Sequence, residues 1–232
     1  MRLFLILLVS MVLVAEESLK KELDEHYQLF LEEASPTVIQ AVNDDLQERI
    51  SLNMQAKIPK VGDLAIDFSL KNINGEDFTL YKALKEKPVV LFWYRGGWCP
   101  YCNMQLTYYQ KHYEAISKAG AMLVGVAPEN KTMGVETKED NEISFELLTD
   151  PNNTVAKKYN LVYKVKPTLY SLIDQRFELK DYYGEKNGEL PLTILYVIDK
   201  KGVIRYAFID EDFSKRAEPK EFLETLKRLK EK

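Results

Sequence analysis

Cysteine and histidine are both scarce, with two of each among 232 residues. Two cysteines cannot build the disulfide framework of a small secreted scaffold. They also fail as half of a zinc site, because a structural zinc needs four ligands and His26 and His112 lie apart from each other and from the cysteines. Charge of one sign is lacking as well. The 32 basic and 36 acidic residues leave a net charge of −4, so no basic field exists to gather the phosphates of a nucleic acid. There is no glycine-rich phosphate loop, internal repeat or low-complexity tract, and the chain implies neither a cofactor nor a metal. Hydrophobic residues make up 46% and aromatics 11%, which excludes intrinsic disorder and supports one domain with a substantial core.

Long apolar runs are lacking too. The one candidate, Leu3 to Val14 interrupted by Ser10, is too short to span a bilayer comfortably. Following Met1-Arg2, it matches the charged and apolar regions of a secretory signal over residues 1–15. The expectation is an exported protein, periplasmic or membrane-associated and facing the exterior, with membrane contact only through an uncleaved N-terminus.

What is present is concentrated at Trp98-Cys99-Pro100-Tyr101-Cys102, which follows the apolar run Val89 to Tyr94 and opens a helical pattern. Cross-linking cysteines so close in sequence closes almost no loop, so their pairing serves chemistry more than stability. A cysteine in the first turn of a helix has its pKa lowered by the helix dipole and free backbone amides. Spaced by three, Cys99 and Cys102 face one side of that helix and can close a disulfide. Pro100 is tolerated because a first-turn amide has no helical partner. Arg95, at the carboxyl end of the strand, lies where ligands bind in open α/β sheets; it reads equally as the cation that favours a thiolate and as a surface residue in a salt bridge. His112 and the cluster Tyr108, Tyr109 and Tyr113 read as packing residues.

Around this unit the chain organises simply. From Glu16 to Ala56 it is helical in period, with stripes Leu19, Leu23, Tyr27, Leu31 and Val38, Val42, Leu46, Ile50 separated at Pro36. Short strands flank the turn Asn74-Gly75. A helix is expected from Cys99 to Lys118, a strand from Met122 to Val126, then an extended Ile143 to Leu148 and a helical Asn153 to Tyr159. Leu161 to Leu190 reads as an insertion. Thr193 to Asp199 and Val203 to Phe208 pair across Lys201-Gly202, and Pro219 starts the last helix.

Three segments carry a family resemblance: Val61-Gly62-Asp63-Leu64-Ala65-Ile66-Asp67-Phe68, Tyr94-Arg95-Gly96-Gly97-Trp98-Cys99-Pro100-Tyr101-Cys102, and Tyr196-Val197-Ile198-Asp199-Lys200-Lys201-Gly202-Val203-Ile204. From about Lys60 onward the sequence resembles the alkyl hydroperoxide reductase and thiol-specific antioxidant superfamily, the peroxiredoxins, within the thioredoxin fold. It is most similar to the CxxC-containing branch, whose members share a helical N-terminal extension and an ending like Asp212 to Pro219. The resemblance implies an α/β thioredoxin-like fold with a central mixed sheet and flanking helices, preceded by a helical extension. The boundaries are 1–15 for the signal, 16–58 for the extension and 59–232 for the domain.

The resemblance also implies thiol-dependent reduction of hydroperoxides, with a thioredoxin-type dithiol as reductant and a CxxC disulfide cycle. The peroxiredoxin register puts the attacking thiol on Cys102, the supporting proline on Arg95, the supporting threonine on Cys99 and the late arginine on Thr193, so none of the three supporting residues is retained. The thioredoxin register makes Cys99 the exposed, acidic nucleophile and Cys102 the resolving thiol. Cys99, Cys102 and Arg95 are thus the expected catalytic residues, with Trp98 and Thr193 beside the substrate. Exchange with protein disulfides is the alternative reaction. A binding module using Leu161 to Leu190, its CxxC merely oxidised, is the alternative of another class.

Overall fold

The structure is a computed structural model that describes residues 18–184 and 188–231, so the expected signal at 1–15 lies outside the described residues. Ser18 and Ser35 each cap a helix with their hydroxyls, starting α1 (Leu19–Glu33) and α2 (Pro36–Ser51), and Pro36 occupies the first turn of α2. Leu19 and Leu23 are buried as expected. The second stripe is rotated: Ile50 is 50% exposed, while Asp45 and Arg49 turn inward beside Val42. The reason is a buried ion pair between Asp45 and Arg49, whose remaining groups hold the backbone amide of Lys166 and the carbonyl of Glu211. Apolar periodicity cannot foresee a buried face built from mutually paired charges.

Strands β1 (Ser69–Asn72) and β2 (Asp77–Thr79) form a hairpin that leads into α3 (Leu80–Glu86). Next come β3 (Val89–Trp93), α4 (Pro100–Lys111), α5 (Tyr113–Lys118), β4 (Met122–Ala127), α6 (Lys131–Asp140), β5 (Glu146–Thr149) and α7 (Thr154–Lys158). The single helix expected over 99–118 breaks at His112, and α6 is an additional crossover helix between β4 and β5. The insertion folds as β6 (Val162–Lys164), α8 (Pro167–Phe177), α9 (Leu179–Tyr183) and β7 (Glu189–Pro191). The chain closes with β8 (Leu195–Ile198), β9 (Ile204–Phe208) and α10 (Pro219–Lys230).

Seven strands form one mixed sheet in the order β2-β1-β5-β4-β3-β8-β9, and β6 pairs with β7 in a separate ribbon. β3 pairs parallel with β4 and antiparallel with β8 in the middle of the sheet, and all five of its residues are buried beneath helices on both faces. That explains its unbroken apolar run, since a strand covered on both faces has no polar side to show. The thioredoxin-like expectation holds: a mixed sheet, flanking helices and a helical extension packed on the outside. Among the described residues no helix is long and apolar enough to cross a membrane.

Candidate active site

The carboxyl end of β3 delivers Tyr94 and Arg95 to a glycine turn that opens α4. Gly96 has φ of 148°, a conformation an L side chain rarely adopts, and a Cβ on Gly97 would lie 2.2 Å from Oγ1 of Thr137. This close approach is fixed by Glu129. Its carboxylate accepts from the Gly97 amide at 2.6 Å, the Thr137 hydroxyl at 2.9 Å and the Tyr94 hydroxyl at 3.0 Å. Burial pushes the Glu129 carboxyl above its usual range, and the three donors oppose that shift. On the other side of the turn, Tyr183 donates to the Arg95 carbonyl and accepts from the Trp98 indole.

Cys99 is the N-cap of α4, Pro100 begins the helix, and Cys102 sits in its first turn. Both thiols are free and buried. The Arg95 backbone amide donates to Cys102 Sγ at 3.4 Å, and Arg216 donates through Nη2 at 3.5 Å. Arg216 is itself fixed by Gln105 Oε1 at 2.7 Å and by the carbonyls of Phe213 and Lys215, both at 2.6 Å. Burial alone would raise the Cys102 thiol. A hydrogen bond from Cys99, the charges of Arg216 and Arg95, and the Arg95 amide outweigh it and hold Cys102 well below the ordinary thiol value. Cys99 moves the other way, raised by burial and by the neighbouring sulfur. Acidity was expected of Cys99, whereas the hydrogen-bond donors converge on Cys102 in the first turn and not on the cap.

Arg95 is no surface residue. It is buried, with its guanidinium 4.8 Å from the centre of the Phe213 ring and 5.7 Å from that of Trp98. Trp98 also tilts against Phe177, at 5.6 Å between ring centres. Beside these residues opens a cavity of about 550 Å³. Helices α1 and α2 form one wall, α8 the facing one, and Arg95, Trp98, Cys99 and Tyr101 line the inner end. Four of the five expected site residues thus come together: Cys99, Arg95 and Trp98 on the cavity, and Cys102 just beneath Cys99. Thr193 is buried just ahead of β8, next to Ile194, whose carbonyl accepts from the Trp93 amide of β3, and it is not among the residues lining the cavity.

Two contributors escaped sequence reasoning. Arg216 lies within the terminal segment Asp212 to Pro219, quoted for its resemblance, yet nothing local distinguishes its charge from that of Lys215. Glu129 lies two residues past the end of β4, and its only visible signal was its place near a strand's carboxyl end. Tyr108 and Tyr109 are buried packing residues, as expected, and His112 stacks on Tyr108 away from the thiols.

The AhpC/TSA family profile matches residues 61–207. The chloroplastic peroxiredoxin Q of Oryza sativa subsp. japonica is 29% identical over 147 residues, covering 63% of this chain and 58% of that protein. The chain thus spans less than two thirds of the rice relative's length. The chloroplastic peroxiredoxin Q of Arabidopsis thaliana is 30% identical over 176 residues, 75% of this chain and 68% of the relative. Among solved structures, the peroxidoxin BcpB of Mycobacterium tuberculosis superposes with a TM-score of 0.57 at 21% identity, covering 73% of this chain and 97% of that one. The bacterioferritin comigratory protein of Xanthomonas campestris gives 0.56 at 17% identity, covering 74% and 99%. These structural neighbours establish the fold. The comparison corrects the expectation of export, since these plant relatives are chloroplastic proteins and not exported ones. Membrane contact through residues 1–15 is not borne out either.

Proposed function

The chain belongs to the AhpC/TSA family, and on that premise we propose that it is a thiol peroxidase in which Cys102 attacks and Cys99 resolves. The observation that carries this reading is the convergence of the Arg95 amide and the Arg216 guanidinium on Cys102 Sγ. Donors fixed around a sulfur serve twice. They stabilise the thiolate, and they are positioned for the negative charge that develops on the departing oxygen.

In the first step the Cys102 thiolate attacks the terminal oxygen of a hydroperoxide. The O–O bond breaks, Cys102 becomes a sulfenic acid, and the departing alkoxide takes up a proton to leave as an alcohol. In the second step the Cys99 sulfur, having given up its proton, attacks the sulfenic sulfur. The S–O bond breaks, hydroxide leaves and is protonated to water, and a Cys99–Cys102 disulfide forms. The thiol pair loses two electrons and the peroxide gains them. An external dithiol of the thioredoxin type restores the pair by thiol–disulfide exchange. Arg95 orients its amide toward Cys102 while its side chain and Trp98 meet the substrate. Helices α1 and α2 of the extension act as a wall of the substrate cavity, and the domain that follows them carries the chemistry.

Stopped-flow tryptophan fluorescence tests this, since Trp98 adjoins Cys99. The reduced protein is mixed with hydrogen peroxide or, separately, with oxidised glutathione. Fast consumption of peroxide and slow reaction with the disulfide is the expected result. The reverse order of rates would assign the pair to disulfide exchange, and inertness toward both would make the fold a binding module.

A further inference from the structure

Residues 209–218, between β9 and α10, bring Arg216 to Cys102 without belonging to any helix or strand. Their backbone closes one turn, in which the Lys215 amide donates to the Asp212 carbonyl at 3.1 Å. The course of the segment is otherwise set by side chains that reach it from elsewhere. From the domain come Gln105, which fixes the guanidinium, and Tyr109, whose hydroxyl donates to the Ala217 carbonyl at 2.9 Å. Further ties come from the helical extension. Arg49 of α2 donates through Nε to the Glu211 carbonyl at 3.1 Å, and Gln55, just beyond α2, donates to the Glu211 carboxylate. Asp24 of α1 pairs with Lys215 at 2.8 Å, and the Lys20 amide donates to the Glu218 carboxylate at 2.6 Å. These ties bracket Arg216, with Glu211 and Lys215 before it and Glu218 after. Arg49 is itself fixed, being buried, paired with Asp45 and stacked 4.6 Å above the Tyr163 ring.

Part-exposed ion pairs such as Asp24–Lys215 add little to stability, so what such ties decide is where the chain runs. Position matters here, because displacing a reacting or supporting group by about 1 Å can cost about a hundredfold in rate. We propose that the helical extension is a positioning element for the thiol chemistry, in which Arg49 and Asp24 clamp residues 209–218 so that Arg216 meets Cys102. The inference rests on the reading above that Arg216 stabilises the Cys102 thiolate. Arg216 and the helices that hold its segment both lie outside the family-matched residues 61–207. The cation that stands in for the missing late arginine thus comes with a scaffold of its own.

The test uses the reduced full-length protein with Cys99→Ser, so that alkylation and the first reaction with hydrogen peroxide both report Cys102. Two variants loosen the clamp. Asp45→Asn with Arg49→Met removes a buried pair, strands neither charge and leaves the net charge unchanged. Asp24→Lys sets a cation against Lys215 at a part-exposed position away from the cavity. Each is expected to move the pH midpoint of Cys102 alkylation upward and to slow the peroxide reaction by about tenfold. The sign is diagnostic for Asp24→Lys, because a new cation acting directly on the thiolate would move the midpoint downward. In an Arg216→Met background neither variant should have a further effect, since the clamp acts through Arg216. An unchanged midpoint in either folded variant, a downward shift in Asp24→Lys, effects that add to that of Arg216→Met, or an Arg216→Met variant without effect overturns the inference. Should the double variant not fold, Asp24→Lys decides alone. Failure of the unaltered protein to consume peroxide defeats the peroxidase reading only, because the alkylation midpoints still report the clamp. Peroxide consumption with unchanged midpoints defeats this inference only.

Discussion

Nη2 of Arg216 lies 3.5 Å from Sγ of Cys102, although 114 residues separate them in sequence. Two backbone carbonyls and Gln105 fix the guanidinium, so it meets the sulfur without having to be ordered during the reaction. The typical late arginine of the resemblance falls here on Thr193, and the cation enters instead from the loop ahead of α10.

Removing that cation should therefore cost reactivity. Arg216→Met is expected to move the pH midpoint of Cys102 alkylation upward and to slow peroxide consumption at neutral pH by about a hundredfold, as for loss of one positioned donor. Alkylation rates across pH, read beside stopped-flow peroxide kinetics, check both. Unchanged values in a folded variant would remove Arg216 from the site.

The two thiols should separate cleanly by substitution. Cys99→Ser keeps the attacking sulfur, so it is expected to react once with peroxide and to accumulate a sulfenic acid that a carbon nucleophile traps. Cys102→Ser should give no rapid oxidation at all. Mass spectrometry of the trapped adduct distinguishes them, and an adduct on Cys99 in the second variant would restore the thioredoxin-like register.

Stability of the reduced protein should vary with pH in a sense fixed by the two opposite shifts. Cys102 is depressed in the folded state, so between its folded value and the ordinary thiol value of about 8.5 the unfolded chain holds more protons and stability rises with pH. As pH falls through the folded value that contribution is lost. Cys99 is raised, so above the ordinary value the unfolded chain releases a proton the folded one keeps, and stability falls again. Urea midpoints of the reduced protein across this range should rise and then fall. The rising limb should be absent in Cys102→Ser.

Glu129→Leu is expected to destabilise the fold by about 3 kcal/mol or more, because it strands the Gly97 amide and the hydroxyls of Thr137 and Tyr94. Glu129→Gln keeps most of these bonds and should cost much less. Denaturant melts of both variants test this, and equal losses would indicate that the carboxylate's size matters more than its hydrogen bonds.

Local chemistry made part of this legible in advance. The glycine turn, the cysteines at the helix start and the unbroken apolar run of β3 each have a short-range cause, and so the strand, the helix start and the reactive pair could be read directly. The helix break at His112 and the crossover α6 were missed because neither carries a proline or a clean apolar stripe to mark it. Asp45 and Arg49 were passed over because isolated charges on an amphipathic helix are normally solvated, and only their mutual pairing against Lys166 and Glu211 turns them inward.

The sequence by itself determined that two thiols sit together at the start of a helix at a strand's carboxyl end, since backbone geometry at that spacing leaves them few other arrangements. Which thiol the hydrogen-bond donors meet was decided only by tertiary structure. The answer depends on where the Arg95 amide points and on an arginine arriving from the far end of the chain, and electrostatic stabilisation of a buried sulfur is set by distance in space, which spacing along the chain does not encode.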